Sequence, residues 1–419
     1  MFTKPKVVVL GGGFGGLEAV FYLRHKLGSR VDLTLVSDSR YFTFKPSLIY
    51  IPFGESPEKC RMAIDVPLKK KNIHFVHAIA LEIEPIAQRI ETSHGPIFYD
   101  YLVVATGAAI DPLEIPGFKD HAHTIWTVQQ MLRLGDGLER LIDAARNGTR
   151  PRLLFAVPPQ AQCVAPLYEL AMMTDSWLAD KGVREKVEMS YVTAEPRFFD
   201  AFGPRMHHLV EEEFDRRHIE GYTGQALERV EPGVVHFTNR GMLPFDMLVG
   251  MPPCVAMQRY ANLPTDERGF LQVNRTSRQV RYRERIFAVG DTADFPIKQA
   301  FLALLQADAA ADHIAADILG TQPEIDFQPL SLYVMEQLDQ ALFAQVPLKY
   351  KEDGSGAVEV DPEAPREYQV GVSPLWRVGK KVMGRYLPWR FAHGEPFHSG
   401  VAWNTINAGL KVAKSVLAS

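Results

Sequence analysis

The 419 residues include 46 basic and 50 acidic side chains, for a formal net charge of −4, and 46% are hydrophobic. Such a chain can bury a large core, which excludes extensive disorder and points to two or three domains. Three cysteines without metal-ligand pairing exclude a disulfide scaffold, and thirteen histidines without zinc spacing lead us to expect no metal. No run of eighteen apolar residues marks a membrane span, no apolar leader core precedes Val7, so no signal peptide is expected, and an acidic body whose basic residues gather in the tail rather than along a broad groove argues against nucleic acid as a partner.

In chain order, Val7 to Leu10 reads as a buried parallel strand that runs into a glycine-rich turn. Gly11, Gly13 and Gly16 have the G-x-G-x-x-G spacing, with Phe14 and Gly15 between them, ahead of a helix from Leu17 to Lys26. Backbone without Cβ atoms can approach a pyrophosphate there, and the helix N-terminus supplies free N–H donors. Val31 to Val36 reads as a second strand ending at Ser37-Asp38, where Ser37 can hydrogen-bond a ribose hydroxyl. A strand near His74, alternating segments from Ile83 to Thr92 and the strand Tyr101 to Val104, followed by Ala105-Thr106-Gly107, complete a first unit over residues 1–110.

Pro112 and Pro116-Gly117 break the pattern. A helix from Val128 to Asn147, a strand from Arg152 to Val157, a helix from about Val164 to Lys181 and a strand from Val187 to Val192 repeat the first unit's order within residues 111–268. Residues 269–325 return to the first domain, with the short strand before Gly290-Asp291 and a long alanine-rich helix from Lys298 to Leu319; residues 326–419 form a C-terminal section. The fold class expected is therefore α/β, with two Rossmann-like dinucleotide-binding-type domains and a C-terminal membrane-docking section.

The second turn departs from the first. After Leu153 to Val157 come Pro158-Pro159-Gln160-Ala161-Gln162-Cys163, where prolines remove N–H donors and side chains fill a phosphate's place, so NAD(P)H binding is disfavoured. Cys163 stands instead at the N-terminus of the following helix, whose dipole is expected to lower the thiol's pKa and favour an attacking thiolate.

Together, Gly11 to Gly16, Ala105-Thr106-Gly107 and Gly290-Asp291 resemble the two-dinucleotide-domain flavoproteins, which implies that Gly290 and Asp291 hold the ribityl and pyrophosphate part of FAD. More narrowly, Gly12 to Gly16, Tyr41-Phe-Thr-Phe-Lys-Pro-Ser47 with Lys45, Cys163 before Pro166-Leu-Tyr-Glu169, and Lys298 resemble sulfide:quinone oxidoreductase, over nearly the whole chain. That resemblance implies that Cys163 accepts sulfide sulfur beside the flavin, which then reduces a membrane quinone. It further implies that Glu169 moves protons and that Lys298 places positive charge near the flavin. Related type II NADH dehydrogenases retain the second glycine turn that this chain lacks. The family's partner cysteine corresponds to Val334 and a third family cysteine to Trp126. Cys254, in Gly250-Met-Pro-Pro-Cys254, is the candidate replacement for the missing thiol, against the plainer reading of a buried apolar residue.

For quinone, Phe343, Tyr386 and Phe391 are the aromatic candidates. From Arg377 onward seven basic residues face one acid, a local charge of +6 against −10 for the rest, which suits docking on an anionic membrane surface. Trp403, Ile406, Leu410, Ala413 and Leu417 form an apolar stripe with Lys411 and Lys414 outside it; packing on the core or on a second subunit in a homo-oligomer is the alternative use of that stripe. The expected activity is oxidation of sulfide, or a related sulfur donor, and reduction of quinone by a peripheral membrane protein. NADH:quinone oxidoreduction and electron transfer to a protein partner are the alternatives.

Overall fold

The computed structural model describes residues 4–239, 241–400, 403–405 and 408–409. Two five-stranded parallel sheets organise the chain, and each is built from buried runs of Val, Leu and Ile that have helices or loops on both faces.

The first sheet contains β1 (Lys6–Leu10), β2 (Asp32–Ser37), β3 (His74–His77) and β4 (Tyr101–Val104), with helix α1 (Phe14–Leu27) between β1 and β2. The second contains β5 (Ala122–Thr124), β6 (Arg152–Val157), β7 (Glu188–Thr193), β8 (Glu220–Tyr222) and β9 (Met247–Gly250). Its helices are α2 (Val128–Arg146), α3 (Ala165–Asp180) and α4 (Gly203–Arg216). Strand β10 (Ile286–Ala288) then returns to the first sheet, which takes the order β10-β4-β1-β2-β3, while the second is ordered β5-β9-β6-β7-β8. In both, the strand that leads into the site turn, β1 or β6, is central, so its C-terminal end opens on a crevice.

Helix α5 (Ala300–Leu319) packs against α1, and their small residues let the two approach closely. Strand β11 (Leu330–Glu336), β12 (Ala341–Tyr350) and β13 (Gln369–Ser373) pair antiparallel, and helix α6 (Pro374–Ala392) follows, capped by the Ser373 hydroxyl on the Leu375 N–H. The expected elements lie within a few residues of those observed. The largest difference is that the segment from Ile83 to Thr92 is part of a three-stranded meander extending to Phe98. A short antiparallel pair, Ala108–Ile110 with Cys254–Ala256, connects the two sheet regions and places Ile110 opposite Cys254.

Candidate functional site

The glycine turn is shaped by two different constraints. A Cβ on Gly11 would lie 2.2 Å from the Ala105 carbonyl oxygen, and one on Gly16 would lie 1.9 Å from that of Gly11, so both are required by the backbone's own packing. Gly13 has no protein atom within 4 Å of where its Cβ would be, and its φ of −87° is available to any residue. The space above Gly13 is thus a cradle a side chain would fill, at the N-terminus of α1 where N–H groups lack helical partners. Phe14 flanks this turn against Phe42 and Phe44, and Gly15 fits closely to Val289. Buried Ser37 accepts the Ser39 N–H at 3.2 Å and stands beside Gly12.

Opposite, the β4 end carries Ala105, Thr106 and Gly107, and the Thr106 hydroxyl meets that of Thr292 at 3.2 Å. The turn of Gly290, Asp291 and Thr292 therefore borders the same crevice. These features suit the phosphate and ribityl portions of a dinucleotide: open backbone at one helix end, small residues and hydroxyls facing it.

The second turn folds as a filled plug. Gln162 uses its backbone carbonyl to accept the Lys298 N–H at 3.0 Å and its side-chain oxygen to accept the Cys254 N–H at 3.1 Å. Gln160 accepts from Arg268 at 2.5 Å. Glu195, where a second nucleotide's ribose would be read, is instead bonded by the Tyr168 hydroxyl at 2.8 Å and the Thr193 hydroxyl at 3.0 Å. Tyr168 stacks on Tyr191, 4.3 Å between centroids, inside an aromatic cluster.

Cys163 lies two residues before α3 and keeps partial exposure, whereas Cys254 is fully buried. They are electrostatic neighbours: burial, then Cys254 and Asp291, push the Cys163 thiol well above its ordinary value, opposed by Lys45 and Lys298. Cys254 is itself pushed up to about 12, chiefly by burial. This corrects the expectation of a dipole-lowered thiol pKa. A helix terminus contributes about 0.3–1 kcal/mol, whereas desolvation can move a buried group by roughly 3–5 pKa units. Lys45 holds its ammonium 4.0 Å from the centre of the Trp126 ring. Lys298 is 2% exposed, donates to the Ala293 carbonyl at 2.7 Å and lies 3.5 Å from the Phe270 ring centre. Burial lowers its pKa to about 8 against the pull of Asp291 and Cys254.

Glu169 is buried one turn into α3, accepts the Glu336 N–H at 2.6 Å and pairs with Lys380. Burial raises its pKa, and Lys380 partly offsets this. Fully buried Glu336 pairs with Arg377 at 2.6 Å and accepts the Tyr50 hydroxyl at 3.2 Å. Sequence reasoning missed Tyr50, Glu336, Arg377 and Lys380, since no local motif joins positions 50, 169, 336 and 380.

On β11, Val334 packs with Phe343 and Trp376, away from the thiols, while Tyr333 has Cys163, Asp291 and Glu169 among its electrostatic neighbours. Phe343 stacks on Trp376 at 4.2 Å. The expected quinone trio is not brought together. Tyr386 and Phe391 belong to the core around α1, where Phe391 packs on Phe21 and Phe42 and is 0% exposed, so they hold α6 to the first sheet.

The tail charge also requires correction. Arg377 and Lys380 are used in ion pairs, and Arg390 donates to the Pro396 and Ser399 carbonyls, which leaves Lys381 and Arg385 exposed on α6. Beside them Leu375, Val378, Val382 and Trp389 are exposed, at steps of three, four and seven that keep to one helix face. Of the expected terminal stripe, Trp403 packs on Phe397 and His398, whereas Ile406, Leu410, Ala413, Leu417, Lys411 and Lys414 lie outside the described residues. Among the described residues, no helix is long and apolar enough to cross a membrane.

The family model described as pyridine nucleotide-disulphide oxidoreductase matches residues 5–142 and 169–309. The sulfide-quinone reductase of Aquifex aeolicus is 31% identical over 304 residues, covering 69% of each chain. The external NADH-ubiquinone oxidoreductase 2 of Saccharomyces cerevisiae is 25% identical over 332 residues, 71% of this chain and 60% of that one. The structure of the sulfide:quinone oxidoreductase from Aquifex aeolicus superposes with a TM-score of 0.86 at 24% identity, covering 98% of this chain and 96% of that one, so the two share a fold. This chain belongs to the pyridine nucleotide-disulphide oxidoreductase family and is a sulfide:quinone oxidoreductase-like flavoprotein, an oxidoreductase with FAD as its cofactor.

Proposed function

We propose that this enzyme oxidises sulfide, or a related small sulfur donor, at Cys163 and reduces a membrane quinone. The observation that carries the reading is the plugged second turn: Gln160 and Gln162 are tied to Arg268, Lys298 and Cys254, and a thiol replaces a phosphate cradle. Glu195 is already engaged by Tyr168 and Thr193, which speaks against NADH as donor.

Bound FAD would take two electrons from the sulfur donor and give them up to quinone. The Gly11–Gly16 turn would hold its pyrophosphate, Ser37 its ribose, and Ala105, Thr106, Gly107, Gly290 and Asp291 its middle, with Lys45 and Lys298 supplying positive charge. Cys163 receives the donor's sulfur, and Cys254 is the second thiol. Joining the two sulfurs as a bridge releases two electrons and two protons. Hydrosulfide opens that bridge, leaving a persulfide on one sulfur and a thiolate on the other; joining these as a trisulfide releases two electrons and a proton, and a further hydrosulfide carries the extra sulfur away as hydrodisulfide and restores the bridge. Lys45 and Lys298 oppose the burial that favours the neutral thiol, so they assist the proton loss each cycle needs. Glu169, raised by burial and held by Lys380, is placed to exchange a proton.

Phe343 with Trp376, at the start of α6, is the favoured quinone side, next to the exposed apolar and basic face of that helix. That face would rest on an anionic membrane surface and give quinone a short path from lipid. Steady-state reduction of a short-chain quinone by the full-length protein tests the reading. Sulfide is expected to support turnover and NADH to support none; turnover with NADH alone would reverse it.

A further inference from the structure

Away from the thiols, α1 and α5 bring two acidic side chains face to face. Glu18 is 0% exposed and Asp308 is 4% exposed. The segment after α6 adds His398, and one ligand atom from each of the three lies within 4.8 Å of the others. Glu18 accepts the Phe397 N–H with both oxygens at 2.8 Å, and Asp308 Oδ2 meets His398 Nδ1. Asp308 Oδ1 is buried and accepts from no N–H group among the described residues, while the Glu18 carboxyl lies within hydrogen-bonding reach of Asp308.

One turn further along the same helices, the contrast is plain. Asp312 takes the Tyr22 hydroxyl at 2.9 Å, the Lys26 ammonium at 3.1 Å and the Ile325 N–H at 2.9 Å. Among the described residues, Glu18 and Asp308 have no such lysine or arginine partner. The nearby guanidinium, Arg390, is committed to the carbonyls of Pro396 and Ser399. A buried carboxylate oxygen without a donor is destabilising, because it has given up water and gained no partner. Two carboxylates and a neutral imidazole together balance the charge of one divalent cation. Their donor set, two oxygens and one nitrogen, suits a transition cation better than calcium or magnesium, which take oxygen ligands.

We propose that Glu18, Asp308 and His398 form a zinc-type divalent metal site that staples the segment after α6 onto α1 and α5. The three ligands are 290 and 90 residues apart in sequence, so the site closes a long loop only when the C-terminal section has docked. It would thereby tie the membrane-facing end of the chain to the helix that begins at the FAD phosphate turn.

The test uses full-length, FAD-loaded protein, purified and dialysed against metal-free buffer. Elemental analysis is expected to find zinc close to one equivalent per chain, or the protein to take up one equivalent of added Zn²⁺. Added Zn²⁺ should raise Tm by several degrees and slow proteolytic cleavage after α6. Glu18→Gln and His398→Ala should abolish both responses, while His313→Ala, which removes a histidine paired with Asp326 elsewhere on α5, should keep them. Less than about a tenth of an equivalent bound by the wild type, with no change in Tm on adding Zn²⁺ or a chelator, would overturn the proposal and leave the carboxyls sharing a proton. Equal binding by all variants would overturn it as well. The wild-type stoichiometry decides the matter even if a variant fails to fold.

Discussion

Replacing Lys298 by methionine should make the protein more stable near neutral pH, although it removes a charge from the redox site. The ammonium is 2% exposed, and burial takes its pKa from 10.5 to about 8. Because the folded value lies below the unfolded one, stability is whole above pH 10.5, falls as pH drops from 10.5 to 8 and stays reduced below 8. A difference of about 2.5 units corresponds to roughly 3 kcal/mol. Methionine fills a similar volume and carries no charge, and the loss of the hydrogen bond to Ala293 returns about 1 kcal/mol. The net expectation is a variant more stable by about 2 kcal/mol well below pH 8, with the advantage lost as pH approaches 10.5. Urea denaturation of both proteins across that range reads it directly. Parallel stability curves would refute the claim that Lys298 is held charged at a desolvation cost.

Gly13→Ala should leave the fold and the Tm of the FAD-free protein unchanged, because its Cβ meets no protein atom, yet weaken FAD binding by about tenfold to a hundredfold, measured by flavin fluorescence on dilution. Gly16→Ala, which drives a Cβ into the Gly11 carbonyl, should lower both Tm and FAD content. Lys380→Met leaves Glu169 buried without its cation and should cost about 3–5 kcal/mol in denaturant unfolding; double replacement with Glu169→Gln should recover part of that loss. Removing Lys298 should also shift the pH profile of sulfide-dependent turnover to higher pH, since it leaves the Cys163 and Cys254 thiols harder to ionise. An unmoved profile would place the rate-setting proton elsewhere.

The local signals in the sequence were legible because each lies within one strand-turn-helix unit. Gly11 to Gly16, the parallel strands and the plugged turn at Pro158 to Cys163 all follow from neighbouring residues. What depended on distant partners was not. The sign of the Cys163 pKa shift was missed because burial outweighs a helix terminus, and burial is a tertiary property. Arg377 and Lys380 counted as surface charge until Glu336 and Glu169 were seen opposite them. Tyr386 and Phe391 carried no sign of facing α1 rather than a quinone slot. The histidine spacing gave no hint of His398 meeting Glu18 and Asp308, because metal-ligand patterns in sequence are local and these three are not.

In the proposed reaction Cys163 delivers sulfur-derived electrons to FAD. Anaerobic titration of the purified protein with sulfide, following loss of flavin absorbance, tests it most directly. The wild type should bleach with about one equivalent of sulfide, Cys163→Ala should not bleach with FAD still bound, and Cys254→Ala should bleach slowly or incompletely. Full bleaching of Cys163→Ala at the wild-type rate would contradict this role for Cys163.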